Sequence, residues 1–278
     1  EVTGLGEATV SPYHIVSAIN YNASSDDGLI LSFQGGVYIT GNKRTTVTFE
    51  NINFGDYGAD EIHLPIFSFS DDLPLEVWQG TPGDEITGSA EAGTFSSSGE
   101  CLLREIYHAK SWYNHYQENV FRLSKRLKGI QTITIVVYPE VKMSLQGFYF
   151  TKVEKTYARL NASDSSNITG DMFTIDGDAV RNIGNNVTVE FDDMHFDKEG
   201  LHSITIRGRS HIETNTIHVR FAPTDGSDGI INQIIEFPYS DSSQTLTFSL
   251  DPVYGDYRLN LIFLPGCKFD LEWLQLAH

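Results

Sequence analysis

The chain repeats itself, and the length of the repeat limits what it can fold into. VTFENINFGDYGADEIHLPIFSFSDDLPLEVWQ, beginning at Val47, matches VEFDDMHFDKEGLHSITIRGRSHIETNTIHVRF, beginning at Val189, without a gap and at an offset of 142 residues. QTITIVVYPEVKMSLQGFYF from Gln131 matches YRLNLIFLPGCKFDLEWLQL from Tyr257 at an offset of 126, so the first copy is 16 residues longer between the two blocks. Solenoid units run to roughly 20–50 residues, so a period this long reads as a duplicated domain. In 278 residues that leaves two domains, each large enough for its own core. The boundary is expected near Thr151–Thr156, giving copies over 1–152 and 153–278.

Within each copy the signals are those of strands. TTVTFENINF, EIHLPIFSF, LEVWQ, QTITIVVY and MSLQGFYF in the first half alternate or form short β-rich apolar runs. NVTVEF, HSITIRG, NTIHVRF, QTLTFSL, YRLNLIFL and FDLEWLQL do so in the second. Turn-rich clusters such as NASSDDG, DDLP, TPGDEITG, NASDSSNITG and DPVYGD separate them. No long amphipathic helix stands out. Many short strands with frequent turns predict an all-β chain of two tandem antiparallel β-sandwiches. In LEVWQ, alternation turns Leu75 and Val77 inward and Glu76 and Trp78 outward, which makes Trp78 a candidate interaction residue. Arg220 takes its place in the second copy.

Charge narrows the partners. A net charge of −18 and a pI near 4.7 argue against nucleic acid and anionic lipid. No apolar run approaches the roughly 18–20 residues of a membrane span. The chain starts without an initiator Met or a signal peptide, as a mature protein or a fragment of something longer would. Cys101 and Cys267 lie one in each half at positions that do not match, so two free thiols are expected. The NAS triplets at Asn22 and Asn161 fit a glycosylation acceptor, but inherited loop sequence is the simpler account. His202, His211 and His218 lack metal-ligand spacing and read as solvated strand residues. There is no nucleophile elbow, no H-E-x-x-H, no P-loop and no dinucleotide fingerprint, and among 37 acids no pair stands out as catalytic.

The blocks YITG…TTVTFENINFG and VKMSLQGFYF, with FDLEWLQL closing the second copy, resemble the family 6 carbohydrate-binding modules. That family carries a G-Y-I turn, a strand ending near N-V-D-F-G and a closing F-N-I-D-W-F. The resemblance runs from about Tyr21 to Leu276 and implies a β-jelly roll that binds saccharides without catalysis. In such a module two aromatic rings clamp a sugar at the loop edge and an Asn hydrogen-bonds it. Apolar pyranose C–H faces suit aromatic rings, while the hydroxyls need placed donors and acceptors.

Carried over by position, the resemblance assigns Tyr38 in GGVYITG as one wall. The second wall falls in KSWYNHYQENV, to Trp112, Tyr113 or Tyr116, with Tyr116 best placed; Ser144 replaces the sugar-binding Asn. In the second copy Val180 aligns with Tyr38, SDSS supplies no ring, and Asp270 remains as a hydroxyl acceptor. A family calcium site would need acids that the opening phrases AINYNAS and ARLNAS lack. Glu272 alone is a weak ligand for a cation wanting 6–8 oxygens, so no cofactor is expected. The expectation is thus a non-catalytic tandem binding neutral β-linked oligo- or polysaccharide, secreted or at a bacterial cell surface. It would serve the catalytic domain of a parent glycoside hydrolase. The alternative is a pair of scaffolding sandwiches that bind no sugar. Exposure of the rings separates the two.

Overall fold

The computed structural model describes residues 8–83, 99–110 and 112–278; most of the TPGDEITG turn lies outside them. Two compact units divide the chain, Glu1–Val153 and Glu154–His278. Each is an antiparallel β-sandwich. Among the described residues, helix is limited to the 3₁₀ turns Ala18–Asn20, Phe33–Gly35 and Ala162–Asp164. None is long and apolar enough to cross a membrane.

In unit one the five-stranded sheet runs in the order Ala23–Ser24, Thr45–Asn53, Ile130–Val137, Asp72–Gln79, Glu100–His108. The facing sheet is built around Ala59–Ser68, which pairs with Met143–Leu145, Gly147–Phe150 and Gln117–Leu127. Val47, Phe49, Val77, Ile133 and Ile135 turn inward from the first sheet, and Ile62, Leu64, Ile66, Leu145 and Phe148 belong to the same core. Phe49 meets Phe148 edge-on at 5.0 Å and Phe54 meets Phe150 at 4.8 Å. Burying each such ring is worth about 1.5–3 kcal/mol.

Unit two uses fewer, longer strands. Val187–Ser210 and Gln244–Phe263 pair along nearly their whole length. Register shifts between Phe191 and Met194 and between Phe196 and Leu201 bend the former. HSITIRG therefore does not begin a strand of its own but continues NVTVEF, and QTLTFSL continues into YRLNLIFL. Among the longer strands, three carry no assignment from their sequence above: Glu100–His108, Gln117–Leu127 and Ile231–Pro238.

The pairings of the two units recur at the sequence offsets. Ile135 lies between Val47 and Val77, and Leu261 lies between Val189 and Val219. Met143 pairs with Ser68 as Phe269 pairs with Ser210. Positive φ also recurs, at Asn51 (57°) and Asp193 (51°). Side chains that bond their own backbone tolerate this geometry best, and each residue sits where its strand slips register against its partner.

Candidate functional site

The outer face of the second sheet of unit one brings the expected ring positions together. Ser144 pairs with Tyr38 on one side and Phe67 on the other. Alternation buries Val37, Ile39, Leu145 and Ile66 beneath and leaves this row facing away from the core. Phe69 bridges Tyr38 (5.7 Å) and Phe67 (5.0 Å) through edge-on contacts. Phe33, on its 3₁₀ turn, covers Phe67 at 5.3 Å and Tyr116 at 4.8 Å. Phe33 is 46% exposed and Phe69 53%. Phe33, Phe67 and Phe69 were not among the expected site residues. In PIFSFS the alternation of Phe67 and Phe69 with Ile66 and Ser68 already places them outward, whereas Phe33 in SFQGG has no periodicity to reveal it.

Two of the expected residues serve structure here. Ser144 is 2% exposed and accepts the Ser32 hydroxyl at 2.7 Å. It is a closed polar contact beneath the rings, not a free sugar ligand. Tyr116 donates to the Phe33 carbonyl at 3.0 Å, and burial raises its phenol pKa. A Cβ on Gly36 would stand 2.3 Å from the Tyr116 hydroxyl and 2.8 Å from the Leu145 carbonyl, so only glycine lets this ring settle. The Tyr38 hydroxyl has no protein partner among the described residues. Trp112 and Tyr113 form a separate stack, 4.2 Å between centroids and 26° between planes. Lys110 Nζ lies 5.9 Å from one ring and 5.3 Å from the other. The Gln117 side chain clamps this loop by bonding both the backbone N–H and C=O of Lys110. Trp112 stays 73% exposed.

Trp78 departs from expectation. It is half-buried, and Glu76 beside it is only 1% exposed. Alternation gave their direction correctly, but the outer face of this sheet is covered at that point. Glu76 accepts Trp78 Nε1 (2.7 Å), Arg104 Nε (2.7 Å) and the Tyr138 hydroxyl (2.5 Å), with Arg44 Nη2 at 3.9 Å. Burial pushes the carboxyl pKa up, yet the bonds from Tyr138, Trp78 and Arg104 together hold it below the usual range. Trp78 is thus a lid on an internal acid.

In unit two the corresponding row is charged. Val180 pairs with Leu271 as Val37 pairs with Leu145, so Arg181, not Val180, stands at the Tyr38 place. Arg209 pairs with Asp270 where Phe67 pairs with Ser144. Asp270 is buried, accepting the Asn182 N–H and bonding His211 Nε2, both at 2.9 Å. Glu272 accepts Arg207 Nε at 2.7 Å and Ser243 Oγ at 2.6 Å, with Arg181 Nη1 at 3.4 Å. Guanidinium groups and a hydroxyl fill the places a cation would need. No cluster of three or more His, Cys, Asp or Glu suited to a metal occurs among the described residues. Both cysteines are free, and burial pushes the Cys267 thiol up to about 12.

Gly147 and Trp273 match in the closing motifs, and the structure explains why only one copy carries the Trp. At Gly147 φ is +154° and a Cβ would lie 2.1 Å from the Val16 carbonyl. At Trp273 there is room for a ring, over which Arg159 sits at 4.0 Å.

No family model matches the chain, and no curated protein does. Over about half its length the chain is similar in structure to carbohydrate-binding modules. The module CsCBM6-3 of Clostridium stercorarium, in complex with cellobiose, is 20% identical with a TM-score of 0.41 over 53% of this chain and 99% of that one. A family 6 module of Clostridium cellulolyticum in complex with xylose is 18% identical with a TM-score of 0.38, over 44% and 98%. A glycoside hydrolase family 43 arabinoxylan arabinofuranohydrolase of Bacillus subtilis, in complex with cellotetraose, is 11% identical with a TM-score of 0.39, over 87% and 53%. At these scores the likeness carries nothing about what this chain binds.

Proposed function

We propose that the chain is a non-catalytic carbohydrate-binding protein and that unit one carries the binding edge. Trp112 is the observation that bears most weight: a ring nearly three-quarters in solvent, yet held flat against Tyr113 on a loop clamped by Gln117. A large aromatic kept exposed and fixed in orientation suits stacking on a pyranose face. Phe33, Phe69 and Tyr38 add a second apolar surface with a free hydroxyl. Neutral β-linked glycans are the preferred substrate class, because a chain of net charge −18 repels polyuronates. Attached to a secreted glycoside hydrolase, such a module raises the enzyme's effective concentration on its substrate.

The test is a glycan array probed with the full chain and with Trp112→Ala, Phe33→Ala and Tyr116→Ala. Signal on a neutral glycan class that falls at least about tenfold on removing a ring supports the reading. Silence from a folded chain sinks it. The scaffold reading then takes its place, and the closure of Ser144 by Ser32 and the self-paired charges of unit two favour it.

A further inference from the structure

A second outward row crosses unit two, where strand pairing lines up Asn167, Glu190, Asn260, Arg220 and Asn232. Val189, Leu261 and Val219 beside them are fully buried, so the row faces away from the core. Arg220 is half-buried, its Nε is closed off from water, and it has no hydrogen bond, ion pair or ring contact among the described residues. Every other arginine among them has an acid, an acceptor or a ring against it. Asn260, directly beside Arg220, is 7% exposed, and its amide has no protein partner among the described residues either. The flanking groups are engaged. Asn232 bonds His218 Nδ1, Glu190 and Asp192 both face Arg258, and Glu236 accepts the Thr216 hydroxyl. At the matching place in unit one Trp78 is the donor and Glu76 its acceptor. Unit two has a donor there, Arg220, but His218 in place of the acid.

We infer that Arg220 and Asn260 form a seat for the carboxylate of an acidic sugar unit carried on an otherwise neutral glycan. A half-buried guanidinium without an acceptor is costly to keep, and its fork matches the two oxygens of a carboxylate. The Asn260 amide offers both a donor and an acceptor to a neighbouring hydroxyl. In the adjoining row, Ile262 and the 56% exposed Ile234 offer apolar contact to ring C–H groups. The net charge of −18 opposes a polyuronate along its whole length. A single carboxylate feels mainly the charges within about 8 Å at physiological ionic strength, and in this row Arg220 is the unpaired one. The inference rests on reading the chain as sugar-binding but not on the rings of unit one.

The experiment is an NMR titration of the full chain at about pH 7, where guanidinium and carboxylate are both charged. It reads the Arg220 Nε–H and the Asn260 side-chain amide. The probes are glucuronate, glucose, acetate and inorganic sulfate. Glucuronate should shift both signals and bind at least about tenfold more tightly than the other three. Arg220→Gln, read through Asn260, should weaken it at least about tenfold, and Arg220→Lys, which keeps the charge but not the fork, should recover only part of that loss. Asn260→Ala, read through Arg220, should weaken it by about fivefold. Lys198→Ala removes an exposed cation outside the row and should change nothing. Acetate, sulfate or glucose binding as tightly as glucuronate, or indifference to Arg220→Gln, overturns the inference. If the array signal on neutral glycans persists while glucuronate leaves both signals unmoved, only this inference falls; if no sugar binds anywhere, both readings fall.

Discussion

The same row of strand positions is aromatic in one unit and ionic in the other. Tyr38, Ser144, Phe67 and Phe69 are answered by Arg181, Asp270, Arg209 and His211, while the core pairings beneath keep their register. On the other sheet the exchange is mixed. The buried acid Glu76 of unit one matches His218, and its lid Trp78 matches Arg220. Inward positions must supply apolar volume and can change little. Outward positions need only solve their own hydrogen-bond and packing problem, so the sandwich tolerates opposite chemistries on one frame.

The largest difference expected between the units lies at this acid. Glu76→Ala removes the acceptor for Trp78, Tyr138 and Arg104 in a covered site and should cost unit one roughly 3 kcal/mol. Glu76→Gln, which keeps part of the bonding, should cost less. His218 is half-buried and, among the described residues, bonds only Asn232, so His218→Ala should stay within about 0.5 kcal/mol. Denaturant unfolding followed by amide NMR separates the units. Equal losses at the two positions would mean that Glu76 contributes no more than a solvated residue, and the comparison would break there.

A smaller contrast is expected in the row itself. Asp270→Ala leaves the Asn182 N–H without its acceptor and His211 without its partner, a loss of about 2 kcal/mol in unit two. Ser144→Ala removes one hydroxyl contact with Ser32 while Tyr116 keeps its bond to Phe33, and should cost about 0.5–1 kcal/mol. The same spectra measure both. A larger loss from Ser144 than from Asp270 would show that the hydroxyl seat, rather than ring packing, holds the aromatic row together.

The strand content was legible because period-two burial writes itself into sequence, whereas Tyr38 and Tyr116 were singled out by the family resemblance alone. Gln117–Leu127 was not legible, since its polar residues Glu118, Asn119, Arg122 and Lys125 dilute the apolar signal. The join of NVTVEF to HSITIRG was also hidden. The intervening MHFDKEG looks like a turn, and the register shifts along a single bulged strand explain it. Glu76 was misjudged because alternation gives direction but not cover: Arg104 and Tyr138, distant in sequence, close over it. Val180 was placed one residue out of register because a gapless alignment cannot see strand pairing, in which Val180 meets Leu271 as Val37 meets Leu145.

The smallest effect expected is one the two units share. Glu76 and Glu272 both have lowered pKa values, each against a burial penalty: Tyr138, Trp78 and Arg104 outweigh it at Glu76, and Ser243 and Arg207 with Arg181 outweigh it at Glu272. A carboxyl whose folded pKa lies below its unfolded value binds fewer protons in the folded state. Its stabilisation is therefore complete above the unfolded pKa, about 4.3 for Glu, and is lost as pH falls through the folded value. Both units should lose stability on acidification below about pH 4, with Glu76→Gln flattening the acid limb of unit one alone and Glu272→Gln that of unit two alone. The flattening should be stronger for Glu76, since its three donors converge on a carboxylate with almost no access to water, whereas Glu272 is part-exposed and screened. Melting curves resolved by unit across this pH range decide it. An acid limb unchanged by either substitution would assign the loss to other carboxylates and leave the two acids alike in effect despite their different cover.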